Sequence, residues 1–307
     1  MSARRGAEGV LIPEDSGIST LPRLDMPLSV PPADLTVVRR RAPWPWVLAA
    51  VAVAALGAFL YGMATNPALD WSETATYLFR PEVLKGLWVT IQLSVISTAA
   101  GIIIGLVIAL WRMSTNGVLK TLALVYIALF RSVPVLVQLL IWGNIGLIIR
   151  NVSLGIPFTD IRFFSIPTNE LVGPFTAAVL GLALAESAYI AEVIRAGILS
   201  VDAGQLEAAS ALGMTRGRTM RRIVLPQALR VMIPPLGNQF VTLIKGTSLV
   251  SVIAGGDLLT QVVNISATSY RVIEMLTVAV FWYLIIVSLA TIGQYFLERR
   301  LSRGVKR

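Results

Sequence analysis

Neither cysteine nor histidine occurs anywhere in the 307 residues of this sequence. Without cysteine there is no disulfide framework and no thiolate metal site. Without histidine the chain lacks the commonest general base and metal ligand at neutral pH, which weighs against hydrolytic chemistry. Charge is scarce as well: Asp, Glu, Lys and Arg supply 14% of the residues, against about 25% in soluble domains. No GxxxxGK[ST] phosphate-cradling loop is present, so the chain is not a nucleotide hydrolase by that route. Paired carboxylates, a nucleophile elbow and metal-ligand clusters are missing too, so no catalytic residue and no metal ligand is assigned. What remains is apolar: 55% of residues are hydrophobic and the mean hydropathy is +0.74. These values mark a membrane protein rather than a large soluble core, and the succession of spans below makes it all-α, a polytopic transmembrane helical bundle.

Residues 1–43 are polar and basic, carry five prolines up to Pro32 and show no sustained period. They read as a disordered tail. No apolar core follows the start directly, so they do not read as a secretory signal peptide. Residues 44–63 form a first span, because about 20 apolar residues match a hydrocarbon core of ~30 Å. Trp44 and Trp46 stand at its mouth, where amphipathic rings favour the interface. Residues 64–85 are mixed and expected outside. Further spans are expected over Gly86–Leu110, over Thr121–Ile149 with an interruption at Arg131 and Pro134, over Pro174–Ile198, over Pro226–Ala254 and over Glu274–Phe296. Arg150–Gly173 reads as an irregular loop. Pro234-Pro235 should kink the Pro226 span, with Gly237 and Gly246 loosening it. Gly255–Ile273 reads as a semi-polar connection, and 301–307 as a basic tail.

The distribution of basic residues orients this set. With the N-terminus inside, 19 of the 26 Lys and Arg fall on the cytoplasmic side and five outside, Arg131 and Lys245 lying within spans. Positive charge is retained inside, so both termini are expected in the cytoplasm. The net charge of +9 is thus a signal of topology, and no nucleic-acid partner is expected.

The most polar stretch after the tail is Glu207–Pro226, EAASALGMTRGRTMRRIVLP, within a cytoplasmic loop spanning 200–226. It reads as a hairpin of two short helical pieces. Leu206, Ala209, Ala211 and Leu212 give the first piece an apolar side, away from Glu207. Gly213 suits the left-handed conformation that ends a helix. Thr215 suits the cap of the next. Arg218 and Arg222, four apart, should share a face, and Pro226 suits a new first turn. Arg216 and Arg221 complete a basic surface fit for docking in the cytoplasm.

The order Glu207-Ala208-Ala209, Gly213 and Ile223-x-Leu225-Pro226 resembles the EAA loop of ABC-importer permeases. Three more segments extend the likeness to polar amino-acid permeases. Phe130-Arg131-Ser132-Val133-Pro134 with Gln138-Leu139 is similar to FRGTPxxxQL, with Ser132 for the usual glycine. Ala188-Tyr189-Ile190-Ala191-Glu192 with Arg195 is similar to AYxAE-x-x-R. Pro234 to Gln239 and Leu243 to Leu249 are similar to PPLGNQ and KDTSL, with Gly246 for the usual aspartate. The resemblance covers roughly 85–300 and implies a five-helix core, to which the first span and the tail are additions. It implies that Glu207, Ala208, Ala209 and Gly213 couple to a separate ATPase. That ATPase would bind the ATP and Mg, leaving no cofactor in this chain. It also implies a second permease subunit, identical or paralogous, an extracytoplasmic substrate-binding protein, an amino-acid substrate and the inner membrane of a bacterium.

Polar groups inside spans are costly unless they face a bundle interior or an aqueous path. Arg131, Gln138, Glu186, Asn238, Gln239 and Lys245 are such groups and are the candidates for a substrate path. Arg131 or Lys245 would meet a carboxylate. Glu186, in the middle of an alanine- and leucine-rich span, would meet a cationic or amide side chain. The alternatives remain open here: Gln138 and Arg131 as a buried structural network, Glu186 in an ion pair with Arg131 or Lys245, and Glu192 simply paired with Arg195. Two further readings also stay open: a self-sufficient secondary transporter, and a permease for another small solute such as an opine.

Overall fold

The computed structural model describes residues 43–67, 69–155 and 162–302. The N-terminal tail, and the C-terminal tail beyond Ser302, lie outside the described residues. The chain divides into two compact units, Met1–Gly62 and Met63–Arg307. The described part of the first is helix α1 (Trp44–Ala64), which carries no charged residue and buries none of its side chains. At 1.5 Å per residue it is about 31 Å long, enough to cross a hydrocarbon core.

The second unit runs in the order α2 (Trp71–Leu78), α3 (Pro81–Arg112), α4 (Gly117–Ser132), α5 (Val135–Gly143), α6 (Ile145–Ile148), β1 (Asn151–Gly155), β2 (Arg162–Pro167), α7 (Thr168–Leu171) and α8 (Pro174–Leu199). It continues with α9 (Ala203–Ala211), α10 (Arg216–Thr219), a π-helical turn (Met220–Val224), α11 (Leu225–Gly246), a 3₁₀ segment (Thr247–Ile253), α12 (Leu258–Ser269) and α13 (Val272–Ser302). Helices α1, α3, α8 and α13 are each long and apolar enough to span, and two bent helix pairs raise the total to six. The expected all-α polytopic bundle is the fold observed.

The interruption expected in the span over Thr121–Ile149 is observed: α4 and α5 meet at a bend of 99°. The expectation of an irregular loop over Arg150–Gly173 is corrected: it holds an antiparallel two-stranded ribbon, with Val152 opposite Ile166 and Leu154 opposite Phe164. Residues 64–85 contain α2 and the first turn of α3. Helix α11 runs through Pro234 and Pro235 and passes into the 3₁₀ segment at Thr247.

The break between α4 and α5 has a local cause. Pro134 has no N–H to give the carbonyl of Phe130, and it pushes Val133 into extended backbone, φ −85° and ψ 127°. The buried Gln138 side chain repairs the damage: its amide donates to the carbonyls of Phe130 (3.1 Å) and Val133 (2.9 Å). Gln138→Leu should therefore leave two carbonyls unsatisfied and destabilise the fold by about 1–3 kcal/mol. Thermal unfolding of the detergent-purified protein checks this, and an unchanged midpoint would refute the brace.

The bundle is built around α3 against α8. Small residues on α3 let the backbones approach: a Cβ on Gly105 would lie 2.9 Å from the Ser187 carbonyl and one on Gly101 3.4 Å from the Glu186 Cβ. Close van der Waals contact of this kind is what holds helices together in lipid. One cluster, including Ile108, Ile127, Ile194, Val224 and Met232, packs the end that leads into α9. Another, including Tyr77, Leu258, Met275 and Val278, packs the opposite end. There Arg271 binds Asp70 (3.3 Å) and approaches Glu73 (3.8 Å). The Ser72 hydroxyl and the Glu73 amide, joined by Arg271, hold the Asp70 carboxyl below its usual range. Between the end clusters lie Leu93, Leu139, Leu182 and Leu243.

Candidate functional site

The loop after α8 is ordered by its own backbone bonds. Asp202 caps α9 by accepting from the Gly204 N–H at 2.8 Å. At the other end Gly213 adopts φ +67°. Its N–H donates to the Ser210 carbonyl (2.9 Å) and that of Met214 to the Ala209 carbonyl (3.0 Å). This is the paired-bond termination that glycine allows at no steric cost. The Gln227 side-chain amide donates to the side-chain Oε1 of Gln205 at 2.5 Å, tying α9 to the start of α11.

Four details differ from expectation. The apolar side of the first helical piece is not buried as a unit: Ala209 is buried, whereas Leu206, Ala211 and Leu212 are exposed. A helix of about two and a half turns offers few positions to the bundle, and the rest of that side faces outward beside Glu207 and Ala208. Thr215 has the extended backbone of a cap, but its hydroxyl makes no capping bond. The second piece is not separate either, because it continues through the π turn into α11. Pro226 cannot donate to Arg222, and the Leu225 N–H reaches back five residues to the Met220 carbonyl. That π turn begins after Arg218 and contains Arg222, which removes their simple i,i+4 alignment. Arg216, Arg218, Arg221 and Arg222 are all exposed.

Within the spans, two chambers adjoin. The first, about 310 Å³, is lined by Val135 of α5, by Leu182, Ala185, Glu186 and Tyr189 of α8, and by Gln239, Thr242 and Gly246 of α11. The second, about 480 Å³, is lined by Arg131, Tyr189, Glu192, Arg195, Asn238 and Gln239, among others. Glu186 is 7% exposed, and its Oε1 has no hydrogen-bond partner among the described residues. The ion pair with Arg131 or Lys245 does not form in this structure: the described salt bridges involve neither residue. Glu192 does pair with Arg195, at 2.8 Å, and also approaches Arg112 at 4.0 Å. Arg131 instead stacks its guanidinium 5.0 Å from the centroid of the Tyr189 ring.

Of the six residues expected on a path, Arg131, Glu186, Asn238 and Gln239 line these chambers. Gln138 and Lys245 line neither: Gln138 is spent on the backbone of the α4–α5 break, and Lys245 is exposed near the end of α11. Sequence reasoning missed the part of Tyr189, which stood inside the quoted AYxAE segment without a role of its own. It also missed Arg112 and the Gln205–Gln227 tether.

An all-helical bundle with a broken span, a charged chamber at mid-helix and a glycine-terminated helix standing off one end is the architecture of a solute permease. The family comparison agrees. The chain belongs to the binding-protein-dependent transport system inner membrane component family, whose model matches residues 101–303. The arginine transport system permease protein ArgU of Corynebacterium glutamicum is 40% identical over 268 residues, covering 87% of this chain and 83% of that protein. The glutamine transport system permease protein GlnP of Escherichia coli K12 is 36% identical over 237 residues, covering 77% and 98%. Among solved structures, the crystal structure of an amino acid ABC transporter with histidines is 35% identical with a TM-score of 0.64, covering 76% of this chain and 99% of that chain. Membership of this family makes the chain a multi-pass membrane component of a transporter, not an enzyme. It implies partner subunits for ATP hydrolysis and for substrate binding.

Proposed function

We propose that this chain is the permease subunit of an ATP-driven importer of polar amino acids in a bacterial inner membrane, with both termini in the cytoplasm. The observation that carries the substrate class is Glu186, a carboxylate set in a mid-span chamber with no cation paired to it among the described residues. An amino acid needs a carboxylate or carbonyls for its ammonium and side-chain cation, and a cation for its carboxylate. Glu186 meets the first need, and Arg131, in the adjoining chamber, the second. The permease names of the similar proteins support the same class.

Arg131, Asn238 and Lys245 are exposed on the single chain, although they sit on membrane helices. A charge left to lipid at mid-bilayer costs about 2.5–3.5 kcal/mol even on lenient scales. A second permease subunit, identical or paralogous, covers that face and completes the path. The orientation rests on the 19-to-five split of basic residues. It places α9 in the cytoplasm, where the ATPase docks: Glu207 by polar contact, Ala208 and Ala209 by permitting close approach, and Gly213 by fixing the turn. ATP and Mg then belong to that partner, and an extracytoplasmic binding protein delivers the substrate.

Purification in mild detergent, with mass spectrometry of what co-elutes, tests this reading. An ATPase should accompany the wild-type chain and be lost from a Glu207→Lys/Gly213→Val double variant. A wild-type chain that elutes alone, and crosslinks to no ATPase in the membrane, would sink it.

A further inference from the structure

The two chambers share only two lining residues, Tyr189 of α8 and Gln239 of α11. These two side chains border the passage from one to the other. Their charges differ as well. Glu186 is the one charged group on the wall of the first chamber. The wall of the second holds Arg131, Glu192 and Arg195, of which Glu192 and Arg195 neutralise each other at 2.8 Å. Arg131 forms no ion pair among the described residues, and its contact is the face of Tyr189 at 5.0 Å. That distance lies within the ~6 Å reach of a cation–π attraction. The Tyr189 hydroxyl makes no hydrogen bond among the described residues, so the ring is held from its face.

Arg131 also occupies a telling place in the fold. It is the second-last residue of α4, and the chain turns through 99° just beyond it. Any change in that bend moves the guanidinium relative to α8. Tyr189 borders both chambers and is held by a group on a different helix, just before a sharp bend.

We infer that Tyr189, held by Arg131, is the gate between the Glu186 chamber and the second chamber. The inference rests on the reading of these chambers as the substrate path. The ring blocks passage when the guanidinium lies on it, and swings aside when α4 and α8 shift. The second chamber is lined by residues toward the α9 end of α8, from Glu192 to Gly197, so the gate closes the path on that side.

The native absence of cysteine permits a test in the complete importer, because each introduced thiol is the sole one in this chain. Thr242→Cys reports on the first chamber alone and Ala196→Cys on the second alone. The importer, with its ATPase and without nucleotide, is placed in inverted vesicles and treated with a membrane-impermeant, positively charged methanethiosulfonate reagent. Ala196→Cys is expected to react readily and Thr242→Cys at least about tenfold more slowly, the ratio set by the small fraction of open gates. Adding Tyr189→Ala should bring the two rates together, and adding Arg131→Gln should raise the Thr242→Cys rate part of the way. Tyr189→Phe, which keeps the ring, should keep the protection. An unchanged Ala196→Cys rate in each background shows that the fold is retained, and Arg131→Gln carries the test should Tyr189→Ala fail to assemble.

Equal reaction of the two thiols with Tyr189 and Arg131 intact would overturn the gate. So would protection of Thr242→Cys that survives both Tyr189→Ala and Arg131→Gln. Failure of both thiols to react from either side of the membrane would overturn instead the reading of the chambers as a path.

Discussion

Gly213→Val is expected to cut uptake by about tenfold or more while leaving the helix bundle folded. The reason is confined to backbone. Gly213 sits at φ +67°, and no atom lies within 4 Å of where a Cβ would be, so bulk alone displaces nothing. What a side chain meets is the left-handed conformation itself, at about 1–2 kcal/mol for an ordinary L-residue and more for a β-branched one. The turn can relieve that strain by releasing the bonds from Gly213 to Ser210 and from Met214 to Ala209, at a cost of similar size, and α9 then loses its fixed end. If α9 is the element that meets the ATPase, the misplacement separates hydrolysis from transport. The check is a series in reconstituted importer, with ATP hydrolysis and labelled amino-acid uptake measured together. Asn, which tolerates the left-handed region, should retain most uptake per ATP, Ala less and Val least. The melting midpoint should stay constant across the series, because the turn is exposed. Normal uptake by Gly213→Val would remove α9 from the coupling path.

The same turn shows what a sequence discloses and what it withholds. The glycine-terminated helix was legible because its signal is local: a short helical piece, one residue free to take positive φ, and a new start a few residues on. The long helices α1, α3, α8 and α13 were legible for a similar reason, since length and hydropathy suffice. Arg131 and Gln138 show the limit. Seven apart, they would share one face of a straight helix, and both looked like path residues. The break at Pro134 alters that geometry. Gln138 folds back onto the carbonyls of Phe130 and Val133, while Arg131 stays in the chamber. That outcome depends on the direction of a 99° bend, which no local pattern around Pro134 specifies.

Asn238 and Lys245 make a related point on α11. The chamber wall follows Gln239, Thr242, Gly246 and Leu249, a stripe of helical period, and Lys245 falls on the neighbouring stripe. Choosing between adjacent stripes needs the partner helices. The π turn at Met220–Val224 and the ribbon at Asn151–Pro167 were not legible either. The first arises from a single missing donor at Pro226. The second is a pairing of two short strands whose partner is named by no local pattern.

Glu186→Gln should change what is carried more than whether the protein folds. Among the described residues no cation pairs with Glu186, and one carboxylate oxygen is already without a partner, so the isosteric amide breaks no ion pair. What it removes is a negative charge facing a chamber of about 310 Å³. Two unit charges 4 Å apart attract by roughly 4 kcal/mol at an effective dielectric of 20, and a third of that is about a tenfold preference. In competition uptake by reconstituted importer, the ratio of arginine to glutamine carried should therefore fall by about tenfold or more in the variant. Gly246 supplies the converse experiment. It lines the same chamber, has room for a Cβ, and stands where the resembling permeases carry aspartate. Gly246→Asp on the Glu186→Gln background puts a carboxylate back on the wall from α11 instead of α8, and should restore part of the lost preference. If charge on that wall selects the substrate, the origin of the carboxylate matters less than its presence. Unchanged preference in Glu186→Gln at equal expression would show that the chamber does not read the side chain. A preference lost in the single variant and not recovered in the double one would show that the position of Glu186, and not the charge alone, does the selecting.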